Sequence, residues 1–177
     1  MIIISIYLLI FNEGNKILIK NIKDIIPCPD CGGLLKYRDS KWRILKKYGG
    51  DKYSVLIRRL KCSDCPSLHT ELPDCLAPYK HYEVEVIENV VDGIIDTDDI
   101  EKDYPCEATK NRWKEWISRN TKDINGYIKS IGFRLLELGV ALLSSTTSIL
   151  ELLQNEGEGW LSIILRMIYN SGNFLPT

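Results

Sequence analysis

Four of the six cysteines fall into two pairs of identical spacing, Cys28-Pro29-Asp30-Cys31 and Cys62-Ser63-Asp64-Cys65. Two intervening residues turn both sulfurs of a pair toward one point. The small residues Gly32-Gly33 after the first pair let backbone N–H groups approach the thiolates. The 30 residues between the pairs are enough for a hairpin that brings the two turns together. Four thiolates about 2.3 Å from Zn2+ then close a tetrahedron with no open position, which is the chemistry of a structural site. The alternative is thiol redox, but a redox Cys-x-x-Cys opens a helix, whereas both pairs here are flanked by strand-forming residues.

Three further residues carry possible chemistry. His69 lies four positions after Cys65, where it either replaces one cysteine as ligand or makes a hydrogen bond. Cys75 has no partner at ligand spacing and sits between Pro73 and Pro78, so a buried free thiol is its simplest role. Cys106 stands at a helix N-cap, where a thiol pKa falls, and a nucleophilic role is the alternative to a structural one. These two thiols keep a cysteine-dependent enzyme among the readings.

The elements that must position the cysteines follow from the residues around them. Met1–Phe11 and Lys16–Ile19 read as strands, because Ile and Tyr favour the pleated conformation. Leu34–Arg38 and Lys41–Lys47 are short strands, Tyr48-Gly49-Gly50-Asp51 is a hairpin turn, and Tyr53–Lys61 is the returning strand that delivers Cys62. Leu72–Tyr82, punctuated by Pro73 and Pro78, is an extended connector. A first helix covers about Glu83–Val91 and ends at Asp92-Gly93. Thr97 caps a second, with Asp98 and Asp99 in its first turn and Pro105 after its end. A third runs from about Glu107 to Arg119, with Trp113, Trp116 and Ile117 on one face. Farther on, Ile128, Ile131, Leu135, Leu138 and Leu142 form a helical stripe, Ser148 and Glu151 resemble a capping box, and Trp160–Tyr169 is amphipathic.

The fold class expected is therefore α+β: a β-rich zinc ribbon over residues 1–80, a helix-turn-helix over 81–122 and a C-terminal helical segment over 123–177. A 177-residue chain with 45% hydrophobic residues can bury a core, which excludes a disordered protein. Met1–Phe11 lacks a basic leader and is too short to span a bilayer. The apolar stretch Ile131–Leu150 is broken by Arg134, Glu137 and the cluster Ser144–Ser148. The expected setting is cytoplasmic, where thiols stay reduced, with no membrane association.

The net charge of -1 hides an asymmetry: ten Lys/Arg against two acids from Lys36 to Lys61, then ten acids against one lysine from Glu83 to Glu107. The basic block lies on the hairpin, where Arg43, Lys46 and Lys47 with Trp42, Tyr48 and Tyr53 suit phosphates and bases. Thr109, Lys110, Asn111, Arg112 and Lys114 begin the third helix. Short polar and cationic groups there suit base edges in a major groove, and cations farther along suit phosphates. Double-stranded DNA is the expected partner. The alternative is an adaptor that holds a protein, or a second copy of itself, through the C-terminal helices.

Several segments together resemble a known group. They are Cys28-Pro29-x-Cys31, the basic hairpin, Arg58-Arg59-Leu60-Lys61-Cys62-x-x-Cys65, His69-x-Glu71-Leu72-Pro73-Asp74, Pro78-Tyr79-Lys80-x-Tyr82 and Arg112-Trp113-x-x-Trp116. Over most of residues 1–120 the chain resembles poorly characterised bacterial proteins that join a zinc ribbon to a helix-turn-helix. Those proteins look like the DNA-recognition end of insertion-sequence transposases. The resemblance implies zinc at the four cysteines and DNA binding, and it supplies no catalytic residues. A transposase nuclease needs separated carboxylates on an α/β domain to hold two metal ions. The acids here are concentrated between Glu83 and Glu107, so a binding protein is expected rather than an enzyme.

Overall fold

The computed structural model describes residues 1–22, 27–94, 105–135 and 146–177. The six strands are β1 (Ile2–Ile4), β2 (Tyr7–Asn12), β3 (Lys16–Asn21), β4 (Leu35–Lys46), β5 (Lys52–Cys62) and β6 (Leu68–Pro73). The helices described are α1 (Val84–Val91), α2 (Glu107–Leu135), α3 (Ile149–Glu156) and α4 (Trp160–Asn170). This is an α+β architecture, with strands leading and helices following, as the residue patterns indicate.

The sheet is organised on β5. One edge of β5 pairs antiparallel with β4 from Leu35↔Cys62 to Lys46↔Lys52, with a bulge between Tyr37 and Asp39. The other edge is divided: Ser54–Leu56 runs parallel to β3 and Arg59–Lys61 runs antiparallel to β6. Gly49 and Gly50 sit at the β4–β5 tip with φ of 87° and 90°, a region open to glycine at no steric cost. The hairpin therefore forms where Tyr48–Asp51 signals it.

Burial changes face along β5. Val55 and Ile57 belong to the main core, while Leu60 and Cys62, of opposite parity, are buried outside it at the end where the cysteines meet. The helices cover the Val55/Ile57 face. One apolar cluster runs from Ile3, Ile17 and Leu45 through Ile87, Trp113, Ile124 and Ile128 to Trp160, Ile164 and Leu175.

Where two short strands, Leu34–Arg38 and Lys41–Lys47, are expected, β4 is one strand with a bulge, and three further elements differ, each for a physical reason. The apolar run at the N-terminus breaks at Ser5-Ile6 into β1, which pairs parallel with β6, and β2, which pairs antiparallel with β3. An uninterrupted apolar run has no period from which a break can be read. Residues Leu68–Pro73 form a strand although Leu72–Tyr82 reads as a connector. Its inward positions include His69 and Glu71, polar yet 3% and 4% exposed, which obscure the strand pattern. Finally, α2 does not stop near Arg119 but continues to Leu135, across the expected boundary between residues 122 and 123. Its buried positions Trp113, Ile117, Asn120, Ile124, Ile128 and Ile131 extend one stripe through that boundary, with no proline to interrupt it. The second helix expected from Thr97 and the stripe positions Leu138 and Leu142 lie outside the described residues, so a complete helix-turn-helix is not on view.

Polar side chains fasten the helices to the sheet. The Asn170 amide accepts from Ile3 N at 2.7 Å and donates to Ile3 O at 2.8 Å, closing the outer edge of β1. The buried Glu88 carboxylate accepts from the N–H groups of Gly159 and Leu161, the second at 3.0 Å, and thereby caps α4. Burial raises the Glu88 pKa, and those two N–H groups oppose the rise. Asp92 accepts the indole N–H of Trp160 at 2.8 Å. Ser148 caps α3 by accepting from Glu151 N at 3.3 Å, in keeping with its sequence signature. Among the described residues no helix is long and apolar enough to cross a membrane.

The α4 cap gives a first test. Glu88→Ala strands two N–H groups in a buried site and is expected to cost about 2 kcal/mol in chemical denaturation. Glu88→Gln keeps an acceptor and is expected to lose distinctly less.

Candidate functional site

The β4–β5 register decides where the cysteines go. Leu35↔Cys62 pairing ends the hairpin next to the first turn, where Ser63 N donates to Leu34 O at 2.9 Å. The turns themselves are tight: Gly32 N donates to Cys28 O at 2.7 Å, and Cys28 N to Gly33 O at 2.8 Å. Gly32 has φ of 78°, which a side chain would strain.

The four sulfurs of Cys28, Cys31, Cys62 and Cys65 all lie within 4.8 Å of one another. Cys28 to Cys65 is 3.8 Å and Cys31 to Cys62 is 3.5 Å. Sulfurs about 2.3 Å from a shared tetrahedral ion stand about 3.8 Å apart, so the cluster is compatible with a metal site. Disulfides do not account for the cluster, because S–S bonding requires about 2.05 Å.

Backbone and hydroxyl groups prepare the site for negative charge. Asp64 N lies 3.4 Å from Cys62 Sγ. Ser67 donates from its side chain and its backbone to Cys65, drawing that thiol down to about 7. Cys31 moves the other way, to about 12: the Gly33 N–H favours its thiolate, but the neighbouring thiols of Cys65 and Cys62 outweigh it. Four thiols this close cannot all ionise unless a cation shares the space.

The four cysteines suffice for a tetrahedron without His69, although Cys28, Asp30 and His69 also place ligand atoms within 4.8 Å of one another. The His69 ring is 3% exposed, Nδ1 lies 3.2 Å from the Met1 amine and Nε2 lies 3.3 Å from Cys28 Sγ. With the proton on Nε2, the ring donates to the Cys28 sulfur and Nδ1 accepts from the Met1 amine. Burial, and then the Met1 amine, lower the His69 pKa and keep the ring neutral. His69 thus supports a ligand from behind. Asp30, with a carboxylate oxygen 3.6 Å from Nε2, flanks the same ring.

The expected DNA-contacting residues divide into two groups. Arg43 donates to Ala77 O and Lys80 O, both at 2.6 Å, and so holds the 77–80 turn. Lys47 pairs with Glu83 at 3.6 Å. Lys110 is 8% exposed and pairs with Glu107 at 3.7 Å. Two other hairpin cations, Arg58 and Arg59, pair with Glu71 and Asp39. These five serve the fold. In contrast, Asn111, Arg112 and Lys114 are exposed on α2, and Thr109 is half-buried.

A second feature was not legible in the residue pattern. Lys46, Lys80, Arg112 and Arg119 line one open cleft of about 620 Å3 beside α2 with Trp113 and Trp116, facing the two acids Glu115, which pairs with Arg119 at 2.8 Å, and Asp123. Lys80 Nζ stands 4.0 Å over the Trp116 ring and Lys46 Nζ 4.9 Å over Tyr82. Burial, then the Arg112 charge, lower the Lys80 pKa. Arg112 bonds the hydroxyl of Thr109 at 2.9 Å and the Ala108 carbonyl. Among the described residues, Lys46, Lys80 and Arg112 have no carboxylate partner. The Pro78-Tyr79-Lys80 segment was the one available signal. Tyr79 takes φ of 60° there, which turns the chain back toward α2.

His69→Ala removes the donor behind Cys28. The variant is expected to yield its metal to a chelator about 10- to 100-fold more readily while still binding one ion per chain. A competition titration followed by metal analysis checks this.

Residues 28–113 match the model of a protein family described as Domain of unknown function (DUF6431). The matched stretch opens on the first cysteine of the metal cluster and closes on Trp113 of α2, so it contains all four sulfurs and His69. No curated protein matches the chain. No solved structure matches it.

Proposed function

We propose that this chain is a zinc-stabilised DNA-binding protein without a catalytic centre of its own. The metal is zinc because four thiolates in a closed tetrahedron suit an ion with no redox demand and no geometric preference. With every position filled by sulfur, the ion has no place for substrate and acts only to hold the two cysteine turns together.

The observation that carries DNA binding is the cationic cleft. Lys46, Lys80 and Arg112 converge on it with no carboxylate at ion-pair distance among the described residues, and they outnumber the two acids of the lining, Asp123 and Glu115, the second of which pairs with Arg119. Unpaired cations at such spacing favour a polyanion. Next to the cleft, α2 exposes Asn111, Lys114, Ser118 and Lys122 at i, i+3, i+7 and i+11, one continuous polar face. Asn111 and Thr109 are suited to base edges, and Lys114 and Lys122 to phosphates. In this reading α2 lies along a groove and the cleft grips the flanking backbone. The resemblance to the DNA-recognition end of transposases supports the same partner, in either a transposition-linked or a regulatory role.

The adaptor alternative draws less support from the packing. The apolar stripe of α4, with Leu161, Ile164, Leu165 and Ile168, is at most 1% exposed and already covered within the chain.

The test is binding to a DNA duplex across a salt series. The wild-type chain is expected to lose affinity linearly in log–log form, and Lys80→Ala with Arg112→Ala to weaken binding and reduce the slope by about 2. Lys110→Ala is expected to lower the melting temperature and leave the slope unchanged. Binding insensitive to salt, or a double variant as tight as wild type, contradicts the proposal.

A further inference from the structure

β2 forms one end of the sheet and pairs only with β3 among the described residues. Its apolar side chains are exposed on both faces of the sheet: Leu8 53%, Leu9 37%, Ile10 44% and Phe11 60%, with Ile6 just before it at 56%. Exposed sheet edges are ordinarily guarded by charge, proline, a bulge or a covering group. Here β4 shows such protection, with Lys36, Arg38 and Lys41 and the Tyr37/Asp39 bulge. The outer edge of β1 is covered by Asn170. Among the described residues β2 has none of these devices, since Ile6–Asn12 contains no charged residue and no proline.

The hydrogen-bond phase identifies what the edge offers. Ile22 N donates to Ile6 O across the β2–β3 pair. Antiparallel pairs alternate, so Leu8 and Ile10 also direct their main-chain groups toward β3. Tyr7, Leu9 and Phe11 therefore present theirs to the open side. The geometry points to a second copy of this chain as the occupant, through antiparallel β2–β2 pairing about a two-fold axis at Leu9.

Three properties favour a second copy over an unrelated strand. First, a two-fold at Leu9 sets Leu9 against Leu9 of the other copy and Tyr7 against Phe11, and these are the residues whose N–H and C=O face outward. The edge is thus its own hydrogen-bonding complement. Second, the side chains match under the same operation, with Leu8 opposite Ile10 and no charge facing charge. Third, Ile6, Leu8, Leu9, Ile10 and Phe11 form an uncharged apolar strip, each 37% to 60% exposed, that the same strip of a second copy laid edge to edge would partly cover. The inference is independent of DNA binding and of the metal.

The experiment measures the mass of the metal-loaded full chain by sedimentation equilibrium over a concentration series. The wild type is expected to approach twice 20.3 kDa. Leu9→Lys sets two ammonium groups together at the axis and is expected to hold at the single-chain mass, with unchanged circular dichroism. Mixing Leu9→Lys with Leu9→Glu is expected to restore the doubled mass. Amide exchange in the wild type supplies a second reading that needs no variant: Tyr7, Leu9 and Phe11 slow with concentration, while Leu8 and Ile10 do not change. A wild-type chain that stays at single mass, or a Leu9→Lys chain that folds and still doubles, overturns the inference. So does a doubled mass with no slowing at those three amides.

Discussion

Four thiol sulfurs within 4.8 Å of one another define the strongest constraint in this molecule. As thiolates they repel one another. A divalent cation reverses the sign of the interaction and turns the cluster into a clasp. The clasp joins the turn before β4 to the turn after β5, which otherwise meet only at the Leu35↔Cys62 end of a hairpin. His69 on β6 meets Cys28 Sγ at 3.3 Å, so a third strand is tied to the cysteine cluster.

From that end the sheet transmits its order to the helices. β5 shares one edge between β3 and β6, and its Val55 and Ile57 enter the apolar cluster that contains Trp113, Ile124 and Ile164. The charged groups are divided accordingly. Arg43, Lys47, Arg58, Arg59 and Lys110 are consumed by internal partners, and Lys46, Lys80 and Arg112 are left facing a cleft. Four cations of the basic block, Arg43, Lys47, Arg58 and Arg59, thus make fold contacts, and the cations of the cleft are assembled from three separate segments of the chain.

This explains what the residues disclosed and what they withheld. The two Cys-x-x-Cys turns, the Gly-Gly hairpin, the Asp92-Gly93 helix end and the Ser148 cap are local features with local signatures, and each stands where its signature puts it. The break at Ser5-Ile6 was hidden because β1 and β2 are equally apolar and differ only in what covers them. β6 was hidden because His69 and Glu71 are buried for their hydrogen bonds and ion pairs, to Cys28 and to Asn21 and Arg58. The length of α2 depends on a stripe that finds its partners on α4 and the chain end. The cleft joins Lys46 of β4, Lys80 of a turn and Arg112 of α2, a coincidence of tertiary structure with no local signature at all.

The central claim is that the metal clasp holds the β module in place, and the most direct measurement is the thermal melting of the chain before and after metal removal, with metal content determined on both samples. The account predicts that the loaded protein carries one ion and that the stripped protein melts well below it, regaining the higher transition when zinc is restored. A stripped chain that melts at the same temperature as the loaded one contradicts it.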